Sequence, residues 1–287
     1  EMVAGPVRPA SCVAVAWITI WLTRPASVPD FTRRVDWARK ADPEPVPSPG
    51  LGYNPPLLQQ VVTKMHYPIN EIFQTIQGEG VFTGLPAIFV RLQGCPVGCP
   101  WCDTRHTWVV DPEREVAPGE VLDRSNESDG WSKMSTEDIL ASFTRLGYRA
   151  RHVVLTGGEP CLYDLRELSS ALVASGYQVQ IETSGTSEVL THEQTWVTVS
   201  PKIGMKGGLP VLVSALERAN EIKHPVATEH HIEELDALLA TARLRPDVMI
   251  ALQPISQKAR ATELAMATCI ARNWRLSIQT HKYLNID

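Results

Sequence analysis

Three cysteines fall within eight residues, in Cys95-Pro96-Val97-Gly98-Cys99-Pro100-Trp101-Cys102. A C-x3-C-x2-C spacing on a Gly/Pro-rich loop lets three thiolates converge on one metal centre, and soft sulfur ligands select zinc or an iron–sulfur cluster. A 4Fe-4S cube held by three cysteines keeps one iron open to an outside ligand. That open iron is where chemistry could be done. A structural zinc site remains the alternative on spacing alone, with His106 as the fourth member of a Cys3His set.

Four other polar stretches each follow an apolar, β-branched run. Thr156-Gly157-Gly158-Glu159-Pro160 comes directly after 152–155. Its glycines let the main chain come close to a ligand, and its acid can pair with an ammonium. Glu182-Thr183-Ser184-Gly185 follows 178–181, Ser200-Pro201-Lys202 follows 196–199, and Gln253-Pro254 follows 248–252. Each alone is an ordinary loop. Together they repeat one arrangement, and working residues of parallel sheets gather just past the carboxyl ends of strands.

Those stretches need a scaffold. Short runs rich in β-branched residues predict strands over 87–92, 152–155, 178–181, 196–199, 221–224, 248–252 and 276–279. Helical spacing predicts helices over 136–146, 163–175, 210–219, 232–242 and 262–272. Ser135 can cap the first helix, with Asp138 completing a capping box. Ile232, Leu235, Leu238 and Leu239 place apolar side chains on one face of the fourth and leave acids on the other. Strands alternating with helices predict right-handed βαβ units and a parallel sheet. The polar interval 108–133 reads as a long surface loop.

Before residue 65 the text differs. Pro25, Pro29, Pro43, Pro45, Pro47, Pro49, Pro55 and Pro56, with Gly50 and Gly52 among them, allow neither a helix nor a central strand. Residues 1–64 are expected to be a disordered or non-native leader, and 65–287 the working domain. The composition, 44% hydrophobic and 21% charged over 287 residues, is that of an ordinary globular chain. A net charge of −5 makes the chain a poor general binder of phosphate backbone, which leaves room for a local basic pocket, and no direct contact with nucleic acid is expected. Six cysteines are too few for a disulfide scaffold. Cys12, Cys161 and Cys269 stand alone and read as small buried hydrophobes. No run reaches the roughly 18 apolar residues of a membrane span. The apolar stretch 12–22 lacks the basic start and small-residue cleavage site of a signal peptide. A cytoplasmic protein in a reducing setting is expected.

The cysteine triad, with Trp101 before its last member, resembles the cluster motif of the radical S-adenosylmethionine superfamily. Thr156-Gly157-Gly158-Glu159-Pro160 is similar to the superfamily segment that holds the methionyl amine. A narrower resemblance surrounds the cluster: Asn70-Glu71-Ile72-Phe73-Gln74-Thr75-Ile76-Gln77-Gly78-Glu79-Gly80, Arg91-Leu92-Gln93-Gly94-Cys95, Cys102-Asp103-Thr104 and Gln279-Thr280-His281-Lys282 look like the 7-carboxy-7-deazaguanine synthase family. That family converts 6-carboxy-5,6,7,8-tetrahydropterin to 7-carboxy-7-deazaguanine with loss of ammonia, on the route to queuosine and related deazapurines. The likeness runs from Met65 to the end of the chain. Nothing carries over to 1–64, to 108–133, or to the terminal Leu284-Asn285-Ile286-Asp287.

The resemblance implies roles residue by residue. Cys95, Cys99 and Cys102 would ligate the 4Fe-4S cluster, whose open iron chelates S-adenosylmethionine. Trp101, Cys102, Asp103, Gly158, Glu159, Glu182, Thr183, Ser200, Pro201, Lys202, Gln253 and Pro254 would surround that cofactor, with Gln253 and Pro254 near the adenine. Ile76, Gln77, Gly78, Glu79, Arg91, Thr156, His281 and Lys282 would meet the pterin. Among them Glu79 would read its hydrogen-bonding edge and Arg91 would clamp its carboxylate bidentately. Thr104 would offer a hydroxyl to Mg2+ shared with substrate. The implied fold is an α/β incomplete parallel barrel, a partial TIM-type barrel with abbreviated helices. The implied chemistry begins with reductive cleavage of the sulfonium to a 5′-deoxyadenosyl radical, which takes the hydrogen at C6 of the pterin. The implied partners are a flavodoxin-like or ferredoxin-like electron donor and a second copy in a homodimer. Two rival readings are a radical activase that installs a glycyl radical on a partner protein, and the non-catalytic zinc module.

Overall fold

The computed structural model describes residues 64–122, 130–284 and 286. The leader except Lys64, its stretch 12–22 and Cys12 lie outside the described residues, as do 123–129 of the polar interval. In chain order the strands are β1 (His66–Ile76), β2 (Pro86–Leu92), β3 (Ser132–Ser135), β4 (His152–Gly157), β5 (Gln178–Thr183), β6 (Trp196–Val199), β7 (Glu221–Val226), β8 (Met249–Pro254) and β9 (Arg275–Leu276). They form one sheet in the order β3-β1-β2-β4-β5-β6-β7-β8-β9. Every pair from β2 to β9 is parallel. The helices are α1 (Thr136–Arg145), α2 (Arg166–Ala174), α3 (Val213–Arg218), α4 (Glu229–Leu239), α5 (Ala259–Arg272) and α6 (Thr280–Leu284). No α-helix joins β5 to β6, and α3 has only six residues. The two end strands do not pair with each other, so the sheet is an incomplete barrel with abbreviated helices, as the resemblance implied.

Local sequence explains most of this. The parallel strands bury both faces, which is why 153–155 is Val-Val-Leu at zero exposure. Ser135 Oγ accepts from the Asp138 amide at 3.2 Å while Asp138 Oδ2 accepts from the Ser135 amide at 3.0 Å, so the capping box at α1 is complete. Such a cap contributes about 1 kcal/mol. Ile232 and Leu235 of α4 are buried, and Leu238 and Leu239 pack against the core from its edge. Cys161 and Cys269 are buried thiols, in keeping with their isolation in sequence.

Three expectations need correction. The sheet is not wholly parallel, because β1 pairs antiparallel with both β2 and β3. Strand β1 escaped the alternation rule because a register shift lies between Ile69 and Glu71, at the buried Asn70. The described part of 108–133 is more than a surface loop: Val121, Leu122 and Trp131 are buried, and Trp131 Nε1 donates to the Asp111 carbonyl at 2.8 Å. The last strand ends at Leu276, and α6 follows where only a strand end was expected.

Candidate active site

The cysteine loop leaves β2 at Leu92 and is fastened from below by buried amides. Asn70 Nδ2 donates to Gln93 Oε1 at 2.8 Å, and Gln93 Nε2 donates to the carbonyls of His106 and Val109 at 2.9 and 2.8 Å. The Gly94 and Cys95 amides donate to the Thr107 and Trp108 carbonyls at 2.7 and 2.9 Å. A neighbour fits closely on the other side, since a Cβ on Gly207 would stand 2.0 Å from the Pro96 carbonyl oxygen. Within the loop, the Trp108 indole N–H donates to Cys102 Sγ at 3.3 Å, and the Thr104 hydroxyl lies 3.7 Å from the same sulfur.

The three cysteines carry free thiols and line one cavity. Burial, with Glu159 and the other two thiols adding, pushes the Cys95 thiol up to about 11, and burial also raises Cys99. Three sulfurs that feel one another in a low-dielectric pocket suit a cationic cluster, which holds thiolates deprotonated. The zinc alternative fits worse. Among the described residues no three His, Cys, Asp or Glu side chains approach closely enough to grip a single ion, and His106 lines a different cavity from the cysteines. A cube spreads its corner irons and does not require that convergence.

The strand ends supply the remaining wall. Glu159 is 1% exposed and ties β4 to β5. Its Oε1 accepts from the Cys161 amide at 3.0 Å and the Thr183 hydroxyl at 2.6 Å, and its Oε2 accepts from the Ser184 amide at 2.8 Å and from the Ser184 hydroxyl. The Glu159 carboxylate is thus engaged by protein donors, a part that sequence reasoning did not assign to it. Lys202 Nζ donates to Ser200 Oγ at 2.6 Å and to the Ser200 carbonyl at 2.9 Å, and burial lowers its pKa. Glu159→Ala should strand four buried donor groups and lower the unfolding free energy by about 3 kcal/mol. Urea denaturation under reducing conditions measures this, and an unshifted midpoint would contradict it.

Two cavities meet at these strand ends. The first is lined by Cys95, Cys99, Trp101, Cys102, Gly158, Glu159, Thr183, Ser200, Lys202, Gln253 and Pro254 among others. The second takes Ile76, Gln77, Gly78, Arg91 and His281. Glu79, Asp103, Thr104, Thr156, Gly157, Glu182 and Lys282 line both. Of the residues to which the resemblance gave a cluster, cofactor, substrate or Mg2+ role, only Pro201 lines neither; it is buried beside Ser200. Arg91 sits opposite Glu71 across β1 and β2, with its Nε 2.5 Å from Glu71 Oε1, and its guanidinium lies over the Phe73 ring at 5.6 Å.

Glu79 and Glu182 face each other through Lys223. Lys223 Nζ lies 2.6 Å from Glu79 Oε2 and 3.0 Å from Glu182 Oε2. Gln279 Nε2 donates to Glu79 Oε1 at 2.8 Å, and Gln180 Nε2 donates to Glu182 Oε1 at 2.9 Å. Burial alone would raise the Glu79 pKa, yet the Lys223 ammonium and the hydrogen bonds from Lys223 and Gln279 bring it down to about 2. Burial lifts Glu182 to about 7 against the pull of Lys223, helped by the neighbouring carboxylates Glu79 and Glu221. Glu182 therefore stands well above the usual carboxylate range while both its oxygens accept from the Lys223 ammonium. Sequence reasoning missed Lys223, Glu71 and Trp108. A lysine amid a buried parallel strand was the available signal, since such a charge needs partners.

The comparisons with known proteins agree with this arrangement. The family model of the Radical SAM superfamily matches residues 89–206. The chain is 63% identical over 222 residues to 7-carboxy-7-deazaguanine synthase of Escherichia coli K12, covering 77% of this chain and 100% of the relative. It is 46% identical over 222 residues to the enzyme of that name from Buchnera aphidicola, again over 77% of this chain and the whole of the other. The crystal structure of QueE from Escherichia coli superposes with a TM-score of 0.73 at 62% identity, covering 75% of this chain and 94% of that one. Cluster loop, strand ends and relatives lead to one assignment: the chain belongs to the 7-carboxy-7-deazaguanine synthase family of radical S-adenosylmethionine enzymes.

Proposed function

We propose that the first cavity receives S-adenosylmethionine beside the cluster, that the second receives 6-carboxy-5,6,7,8-tetrahydropterin, and that the wall they share is where the ring contracts to 7-carboxy-7-deazaguanine. The shared wall carries this reading, because seven residues named above face both spaces and can touch both ligands. When bound, the reduced cluster and S-adenosylmethionine supply the radical that removes the C6 hydrogen. The chain's own residues bind, orient and exclude water.

Glu79 accepts from the pterin's ring N–H and amino groups with lone pairs that Lys223 and Gln279 leave over. Gly78 lets His281 close on the same segment, since a Cβ there would stand 2.5 Å from His281 Nδ1. Arg91 spends its Nε–H on Glu71, so its two terminal amino groups are the fork for the substrate carboxylate. Thr104, on the shared wall, offers an oxygen to Mg2+ held jointly with substrate. Glu182 can give or take a proton where the two ligands meet.

Further readings rest on family likeness. A flavodoxin-like or ferredoxin-like donor would approach the face carrying Trp101, which is 40% exposed within the cluster loop. A homodimer would cover apolar side chains such as Ile270 and Tyr283, and sedimentation measures it. Among the described residues no helix is long and apolar enough to cross a membrane, and a thiol-ligated cluster suits the reducing cytoplasm.

The test is an oxygen-free assay with the carboxytetrahydropterin, following deazaguanine and ammonia. Glu79→Gln keeps the shape and removes the charge, so kcat/KM for pterin should fall about tenfold or more. An unchanged value would take Glu79 out of the pterin site.

A further inference from the structure

Lys223 lies in the middle of β7, and the alternation of the strand puts it on the same side as Glu221 and Pro225. Glu221 Oε1 accepts from the Val81 amide at 3.1 Å, and its Oε2 accepts from the Thr198 hydroxyl at 3.1 Å. Pro225 lines the cofactor cavity. Between them the Lys223 side chain is only 4% exposed, and its ammonium touches one acid from the turn after β1 and one from the end of β5. A buried ion pair is weak evidence for stability, because apolar residues of similar volume often serve as well. What the lysine uniquely does is join two acids that arise 103 residues apart in the chain and both stand on the wall the two cavities share.

Besides Lys223, the Glu79 carboxylate is held by Gln279. Glu79 sits in Gly78-Glu79-Gly80, with Gly80 at φ 65°, ahead of a single 3-10 turn. Lys223 and Gln279 take one lone pair on each oxygen, which sets the carboxylate plane and leaves the remaining pairs for substrate. Glu182 is reached by the same ammonium through both oxygens, at 3.2 and 3.0 Å.

We propose that Lys223 is the positioning residue of this reaction: one ammonium that holds Glu79 toward the pterin and Glu182 toward the wall shared with the cofactor. The proposal rests on the pterin reading of Glu79 given above. The charged groups around it are Glu79, Glu182 and Glu221, with Lys202 and His281 further out. Without the ammonium, burial is the largest influence on Glu79 and its pKa rises. The acid limb of kcat/KM then moves to higher pH.

The test compares Lys223→Met and Lys223→Arg in the anaerobically reconstituted enzyme, reading pterin KM, kcat and the pH profile of kcat/KM. Lys223→Met should raise pterin KM about tenfold to a hundredfold and shift the acid limb upward, and Lys223→Arg should restore most of both. Unchanged KM and profile in Lys223→Met, with Glu79→Gln impaired in the same assay, overturns the role of the lysine alone. An unimpaired Glu79→Gln overturns the pterin reading instead. Should Lys223→Met not fold, Lys223→Gln combined with Glu79→Gln decides. A pterin KM equal to that of Glu79→Gln alone supports action through Glu79, and a further tenfold rise, about an independent effect, overturns it.

Discussion

Cys99→Ala is expected to abolish cluster assembly and every turnover with it. Cys99 is buried at 8% exposure, lines the cofactor cavity with Cys95 and Cys102, and feels the Lys202 ammonium at the base of that cavity. Two thiolates cannot hold three corners of a cube, and among the described residues no other cysteine is at hand: Cys161 and Cys269 are buried elsewhere and line neither cavity. The fold should survive, because Ala replaces a small side chain on a loop whose anchors are Gln93, Gly94 and Cys95. The measurement is iron and sulfide content after anaerobic reconstitution, with product followed by mass. Wild-type iron content or retained turnover in Cys99→Ala would remove these cysteines from the centre.

Gly158→Ala should be nearly as damaging although it changes no chemical group. A Cβ at 158 would stand 2.1 Å from the Gly94 carbonyl oxygen, 2.6 Å from its carbon and 3.0 Å from Cys95 Cβ. Backbone on both sides must shift, and neither is free to do so. The Gly158 amide donates to the Leu92 carbonyl at 3.0 Å, and the Glu159 amide to the Gly94 carbonyl at 2.8 Å. A displacement of roughly 1 Å at a reacting centre can cost on the order of a hundredfold in rate. We expect a loss of that size in kcat, with lowered iron content. Gly119→Ala serves as the control, since a Cβ there meets nothing within 4 Å. Equal activities in the two variants would contradict the close fit of β4 against the cluster loop.

The frame was legible where burial dictates composition. Strands buried on both faces must be apolar throughout, so β2 and β4 to β8 stood out, within two residues at their starts and ends. The half-wet β1 did not, because Pro68, the buried Asn70 and the register shift beside it hide the period of two. The four-residue β3 was too short to leave a pattern. At the site, most residues read from motifs came from the last residues of strands and the loops after them, where polar side chains interrupt apolar text. Lys223 was hidden for the opposite reason: it lies within a strand, and its partners Glu79 and Glu182 come from distant parts of the chain. Likewise Glu71 is found only by the cross-strand register that sets it beside Arg91. Side chains that work through partners are invisible until the topology supplies the partners.

The first turn of the described chain is fastened by its last residues. The Gly80 amide donates to Ser277 Oγ at 2.9 Å, Gln279 Nε2 to Glu79 at 2.8 Å, and the Thr280 hydroxyl to the Gly78 carbonyl at 2.9 Å, across 197 to 202 positions of sequence. On a ribosome adding roughly 5–20 residues per second, segment 78–80 therefore waits about 10 to 40 s before its fasteners are made. Until then Glu79 has no Gln279, and the mouth beside it stays unformed in the nascent polypeptide. On the pterin reading proposed above, competence to bind substrate waits until residues 277–280 have been made, so a chain cut before residue 277 should carry its cysteine loop and lack the fasteners of segment 78–80.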